Sequence, residues 1–168
     1  MDLTFKQLNP EKDIPELSAL ATKIWNTYYP EVITQAQIDY MLGQSYTAEA
    51  LRKQMQDDKH VFTGAYLDGK MAGYISVSTD GLGEYFIHKL YVDTSFHRKG
   101  IGRALFEFVF DKSNFTAIRL TVNRHNYKAV NFYFRIGFII EKVADFDIGN
   151  GFVMNDFVML LSHSNGDR

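Results

Sequence analysis

Leu90-Tyr91-Val92-Asp93-Thr94-Ser95-Phe96-His97-Arg98-Lys99-Gly100-Ile101-Gly102-Arg103-Ala104-Leu105 decides how this chain is read. An apolar strand breaks into a short polar loop, passes two glycines one residue apart, and continues as a helix. A junction of this kind leaves the first backbone N–H groups of the helix without intrahelical partners, at the positive end of the helix dipole. Phosphate and pyrophosphate groups are held at such sites. Gly100 and Gly102 remove the Cβ atoms that would keep a ligand off the backbone. Arg98, Lys99 and Arg103 add positive charge around the same point. This reading gives an anion held largely by main chain. The competing reading is an ordinary loop at Lys99-Gly100 with Gly102 easing helix packing, and a lone Gly-x-Gly does not choose between them. The dinucleotide fingerprint is not met, since it needs a third glycine and an acidic residue about 20 residues further on at a strand end. A P-loop is not met either, because no Gly-Lys-Ser/Thr follows.

Downstream, Leu120-Thr121-Val122-Asn123 reads as a strand that leads into Asn126-Tyr127-Lys128-Ala129-Val130-Asn131-Phe132-Tyr133-Phe134-Arg135-Ile136-Gly137-Phe138. Together the two stretches resemble the GNAT superfamily of acyl-CoA-dependent N-acyltransferases. The pyrophosphate loop of that family reads Gln/Arg-x-x-Gly-x-Gly/Ala between a strand and a helix. His97 stands here where Gln or Arg is usual. The second stretch is similar to the family signature Asn-x-x-Ala-x-x-Phe-Tyr-x-x-x-Gly-Phe. The two occur in the family's order and at about its spacing.

Composition agrees with a globular enzyme. The chain has 168 residues, 46% of them hydrophobic and 15% aromatic, with a formal net charge of −2. That length suits one domain, expected over residues 1–162 with a frayed tail at 163–168. The mild negative charge argues against nucleic acid or an anionic membrane as the main partner. With no cysteine, a disulfide framework, a thiolate metal site and a cysteine nucleophile are excluded. Met1-Asp2-Leu3-Thr4-Phe5 lacks the basic and apolar regions of a signal peptide, and no stretch approaches about 18 apolar residues. A soluble cytoplasmic protein is the expectation.

The periodicities give an element order of strand, helices, three strands, helix, strand, helix and a final strand pair. Residues 2–8 alternate as a strand. Asp13 caps a first helix, with Pro15 in its first turn and Glu16 three residues after the cap. Thr34 caps a second helix that Gly43 terminates, and Thr47 begins a third. Residues 60–67 and 70–79 form a hairpin on Asp68-Gly69. Residues 84–92 are a long strand, 117–122 another, and 138–147 with 152–161 flank the turn at Gly149-Asn150-Gly151. This is an α/β fold with a mixed, mostly antiparallel sheet and flanking helices, in the GNAT order. The resemblance adds a V-shaped splay between central strands, where acyl-CoA sits.

The resemblance also implies the chemistry. Acetyl-CoA is the cosubstrate, no metal is required, and no metal-ligand spacing is present. Leu90, Tyr91 and Val92 offer main-chain groups to the pantetheine, and the Val92 N–H polarises the thioester carbonyl. His97, Arg98, Lys99, Gly100, Ile101, Gly102 and Arg103 form the pyrophosphate loop, with Asn123 and Asn126 as further cofactor contacts. Tyr133 matches the tyrosine that protonates the leaving thiolate. Read alone, Tyr133 is equally a core aromatic and Asn126 a plain N-cap. Glu84, Phe86, His88 and Leu90 share one strand face. Phe86 takes the place where several family members carry a catalytic Glu, and His88 a place where others carry a histidine. His88 is therefore the first candidate base, with Glu84 second, beside a base acting through water or none at all.

A cationic acceptor calls for acid on its side of the site, and Glu31, Asp39, Glu84, Asp145, Asp147 and Asp156 are candidates. The aromatic stretches 24–29 and 38–42, with Tyr46, resemble PaiA-type enzymes, which acetylate polyamines. These rings wall an amine cleft or form core. The expected function is N-acetylation of a small primary amine, a polyamine among them. A protein or peptide N-acetyltransferase and a non-catalytic acyl-CoA-binding regulator are the alternatives. Homodimers through the terminal strands fit the family.

Overall fold

Strand β1, Leu3–Gln7, pairs antiparallel with β2, Val61–Leu67, which pairs in turn with β3, Lys70–Thr79. At the turn between β2 and β3, Asp68 and Gly69 take φ of 49° and 81°, the left-handed pair a two-residue type I′ hairpin requires. The computed structural model describes residues 2–163. Helices α1 (Ile14–Tyr28), α2 (Gln35–Ser45) and α3 (Ala48–Gln56) lie in sequence between β1 and β2. They are followed by β4 (Glu84–Val92), α4 (Ile101–Phe110), β5 (Ala117–Asn123), α5 (Tyr127–Ile136), β6 (Ile139–Gly149) and β7 (Phe152–Ser162). The strand order is β1-β2-β3-β4-β5-β7-β6, with β4 and β5 parallel.

The chain divides into two compact units that share β4. One holds the chain up to Ser78 together with Lys89–Ser113, and the other holds Thr79–His88 and the chain from Asn114 onward. The core of the first is built where α1, α2 and α3 set Leu17, Ile38 and Leu51 against Phe62 and Tyr74 of the strands. Trp25 stacks on Tyr29 with ring centroids 4.2 Å apart, and the Tyr74 hydroxyl donates to that of Tyr46 at 2.9 Å. Trp25, Tyr29 and Tyr46 are buried, so of their two sequence readings the core one holds. The second unit buries Ile118 and Leu120 of β5, Met159 of β7, and Phe138. Its β5–β7–β6 ladders are antiparallel.

Local details depart from the sequence at three places. Asp13 occupies the N-cap of α1 without capping it. Its carboxylate turns back to accept the Asn9 N–H at 2.6 Å and the Lys6 ammonium at 3.0 Å. Gly43 lies inside α2, which runs on to Ser45, because the next capped helix at Thr47 supplies the stop. His163 is not frayed: its N–H donates to the Thr116 carbonyl and its ring lies 4.2 Å from that of Phe115. Residues 164–168 of the expected tail lie outside the described residues.

The exit of β4 is fixed from two sides. The Asp93 N–H donates to the Ala72 carbonyl at 2.8 Å. Its buried carboxylate accepts the Lys23 ammonium of α1 at 2.6 Å and the Ser95 N–H at 2.9 Å. Beside it, a Cβ on Gly73 would meet the Tyr91 carbonyl oxygen at 2.8 Å, so only glycine lets the two strands run this close. Burial pushes the Asp93 carboxyl up, but the bonds from Lys23 and Ser95 outweigh it and hold the group below the usual carboxylate range. A depressed carboxyl stabilises the fold fully above its unfolded-chain value and loses that contribution as pH falls through the folded value. Asp93→Ala is expected to lower the unfolding free energy by about 2–3 kcal/mol at pH 7. The gap should narrow below about pH 4, and urea unfolding of both proteins at pH 7 and pH 3 measures it.

Candidate active site

Past Asp93 the chain makes a short 3-10 turn, Thr94–Phe96, and reaches the glycine loop. Arg98 and Gly100 both take left-handed φ, 64° and 73°. Gly100 is the N-cap residue of α4 and has no side chain to satisfy the helix terminus. The first intrahelical bond runs from the Ala104 N–H to the Gly100 carbonyl, which leaves Ile101, Gly102 and Arg103 as the residues whose N–H groups head the helix. A Cβ placed on Gly100 would meet no atom within 4 Å, so the space in front of the cap is open. The loop is thus what an anion site needs: main-chain donors at a positive dipole end, without a side chain in front.

The side chains around it are already partly engaged. His97 folds back so that Nε2 lies 3.1 Å from the Val92 carbonyl oxygen. A carbonyl only accepts, so this contact requires the Nε2–H tautomer. The His97 ring also meets the edge of Tyr28 at 6.4 Å. Lys99 sets its ammonium 5.5 Å from the Phe96 ring centre, and Arg103 pairs with Glu107 one helical turn on at 2.8 Å. Leu90, Tyr91 and Val92 are half-buried at the end of β4. Tyr91 packs its ring against Trp25, Tyr29 and Tyr74.

The other expected residues belong to the second unit. Phe86 and His88 project to the same side of β4, with ring centroids 4.8 Å apart, as strand alternation requires. Glu84, at the start of the strand, is exposed and lies 3.4 Å from Arg119, which also holds Glu141 at 2.9 Å. Asn123 ends β5 and accepts the His125 N–H on its side-chain oxygen. Asn126 is the N-cap of α5, accepting the Ala129 N–H at 3.3 Å. Tyr133 is buried on α5 with its ring against Phe132 and Phe138.

Two titratable groups have surroundings that the sequence does not reveal: Lys89, which it does not single out, and Asp156, one of its candidate acids. Lys89 follows His88 but points to the opposite side. There its ammonium donates to the Gln54 side-chain oxygen at 2.6 Å and lies 5.4 Å from the ring centres of both Tyr46 and Phe62. Burial pulls it down to about 8. Asp156, one of six scattered acids weighed for the acceptor side, is the deeply buried one at 3% exposure. Burial pushes it up to about 6 although the charge of Arg124 pulls the other way. Neither environment has a local sequence signal, since each is made by residues distant in the chain. Of the other acids, Asp145 is exposed and paired with Arg124, and Asp39 accepts from Gln35. Among the described residues no group of three or more His, Cys, Asp or Glu is placed to hold a metal ion, and no helix is long and apolar enough to cross a membrane.

Comparison with known proteins bears on the whole of this arrangement. The sequence profile of the acetyltransferase (GNAT) domain matches residues 29–159 and runs across both units. An uncharacterized N-acetyltransferase of Mycobacterium bovis is 26% identical over 151 residues, 88% of this chain and 96% of the relative. The crystal structure of PaiA N-acetyltransferase from Thermoplasma acidophilum in complex with coenzyme A superposes with a TM-score of 0.79 at 25% identity, covering 97% of this chain and all of that one. The ribosomal-protein-S18-alanine N-acetyltransferase of Escherichia coli shares the fold, with a TM-score of 0.73 at 20% identity over 99% of both chains. With the strand-to-helix anion loop and the Asn126–Phe138 signature both in place, the chain belongs to the GNAT family of acetyltransferases and is an acyl-CoA-dependent N-acyltransferase whose cosubstrate is acetyl-CoA.

Proposed function

We propose that residues 1–162 act as one cytoplasmic acetyltransferase domain that moves an acetyl group from acetyl-CoA to a primary amine of a small molecule, a polyamine in particular. The observation that carries the cosubstrate half of this reading is the α4 terminus, with its left-handed Arg98 and Gly100, open space before the cap, and three nearby cationic side chains. These features suit a pyrophosphate, which needs donors and positive charge more than shape. The amine half is supported by the likeness to PaiA N-acetyltransferase and by acid in the second unit.

Acetyl-CoA, when bound, supplies an activated acetyl thioester. The N–H groups of Ile101, Gly102 and Arg103, with Arg98 and Lys99, hold the pyrophosphate. Leu90, Tyr91 and Val92 hold the pantetheine through main chain, and the Val92 N–H stabilises negative charge developing on the thioester oxygen, an effect worth about 3 kcal/mol for one donor. Asn123 and Asn126 contribute polar contacts at the start of α5. His88 takes the proton that the amine nitrogen must lose, Glu84 being the second choice, and the Tyr133 hydroxyl gives a proton to the departing sulfur.

Acetyl-CoA at about 100 times its dissociation constant should stabilise the fold by roughly 2.7 kcal/mol, a rise in Tm of about 5–10 °C. Gly102→Leu should fold and lose that rise, as scanning calorimetry with and without the ligand will show; an undiminished rise would place the pyrophosphate elsewhere.

Tyr133→Phe keeps the ring and deletes the proton. Its kcat should fall roughly 100-fold or more, with acetyl-CoA affinity little changed. Unchanged turnover in a thiol-release assay would assign the hydroxyl to packing. The same assay run on a panel of diamines, triamines and short peptides tests the acceptor, and reaction with peptides alone would replace the small-amine reading by the peptide one.

A further inference from the structure

Among the described residues three aspartates are buried, and one differs from the others. Asp13 and Asp93 each accept two hydrogen bonds, one from a lysine and one from a backbone N–H. Asp156 on β7 has an Oδ1 that accepts none among the described residues. The nearest cation does not repair this. Arg124 directs its guanidinium to the carbonyl oxygens of Ala144 and Asp156 and to the carboxylate of Asp145. An ionised carboxylate kept out of water with an oxygen unfilled is costly, and such groups persist mainly where a ligand or reaction uses them.

The surroundings say what that use is. Asp156 pairs with Asn123 of β5, and Thr121, two residues back on the same face, hydrogen-bonds its carboxylate. Thr121 is exposed where Asp156 is buried. The parallel ladder sets Phe86 opposite Arg119 and ends at Ile87 opposite Leu120; by strand alternation His88 follows Phe86, and Thr121 follows Arg119, on that same face. β5 ends two residues further on, at Asn123, so this face lies at the carboxyl end of the paired stretch, where ligands of parallel strands bind.

We propose that Thr121 and Asp156 form the subsite for the ammonium group of a cationic amine acceptor. The Thr121 hydroxyl gives its proton to the carboxylate and is left with an oxygen that accepts an N–H from the amine. Asp156, behind it, supplies the negative charge at short range in a poorly solvated setting. Asp156 acts through Thr121 and is a positioning residue; Thr121 is the contact. This deepens the small-amine reading above and rests on it for the identity of the ligand.

Charge at the subsite follows the state of Asp156, which burial pushes up to about 6, with Arg124 and the Thr121 bond pulling down and Asp145 pushing up. Sharing the face are Arg119, held by Glu84 and Glu141, with Lys142 of β6 and His88. Amine affinity should therefore rise with pH through about 6.

The test is calorimetric titration of 1,4-diaminobutane into the full chain with CoA present, from pH 5 to pH 8, in the wild type, Asp156→Asn and Thr121→Val. Diamine affinity at pH 7.5 should fall about 10-fold or more in Asp156→Asn, with CoA affinity unchanged and Tm equal or higher, because the amide removes an uncompensated charge. The rise of affinity with pH should vanish in Asp156→Asn. In Thr121→Val it should move to higher pH, since loss of a bond to the ionised form raises the group further. Equal diamine affinity in wild type and Asp156→Asn, or no diamine binding by the wild type, would overturn the subsite. Binding that depends on Asp156 without acetyl transfer to the diamine would uphold the subsite and count against the small-amine reading.

Discussion

The anion loop begins in the right place because Asp93 ends β4 where it does. One buried carboxylate receives an ammonium from α1 and a main-chain N–H from the following turn, while its own N–H is spanned to Ala72. Two segments distant in sequence, α1 and β3, and the turn that follows are thereby tied to one residue. A strand end held by packing alone would fray within its last residues, and Val92 and the α4 terminus would lose their fixed spacing. Gly73 sets the same requirement from the neighbouring strand, since a methyl group there would collide with the Tyr91 carbonyl. Position along β4 is controlled electrostatically, and lateral approach is controlled by the absence of a side chain.

Much of this was legible in the chain because the signals were local. Asp68-Gly69 demands a type I′ turn whatever surrounds it, and the register of β2 with β3 follows. Thr34 and Thr47 cap the helices they precede. The glycines at 100 and 102 and the Asn126–Phe138 stretch carried the family. The readings that failed were those in which a local rule competes with something distant. Asp13 has the sequence of a cap, but Lys6 and the Asn9 N–H compete for its carboxylate. His163 has the setting of a loose end, but the Phe115 ring and the Thr116 carbonyl, just before β5, hold it.

Aromatic residues show the same limit in another form. Tyr28 and Tyr29 are adjacent and chemically alike, yet Tyr29 is sealed against Trp25 and Tyr28 is half-open beside His97. Helical phase decides between them, and a shift of one residue would exchange their roles. On β4 the alternation of strand faces separates His88 from Lys89 just as sharply. Lys89 is enclosed by Tyr46, Phe62 and Gln54, which come from three separate elements or their connections. Its lowered affinity for a proton is a property of that enclosure and is invisible in the neighbouring residues of the sequence.

β6 stands at the outer edge of the strand order, eleven residues long and exposed along most of its length. Ile139 and Val143 are each 60% exposed, so the strand offers oily side chains next to unused main-chain donors and acceptors. Unprotected, such an edge recruits further strands and drives precipitation. Glu141, Lys142, Asp145 and Asp147 interrupt it with charge, and irregularities at Ile140/Lys142 and Asp147/Gly149 break its regular pleat. Colloidal behaviour is thus set by four side chains remote from the chemistry. Salt, which screens all four, would make crowded solutions of an intact molecule prone to stick edge to edge.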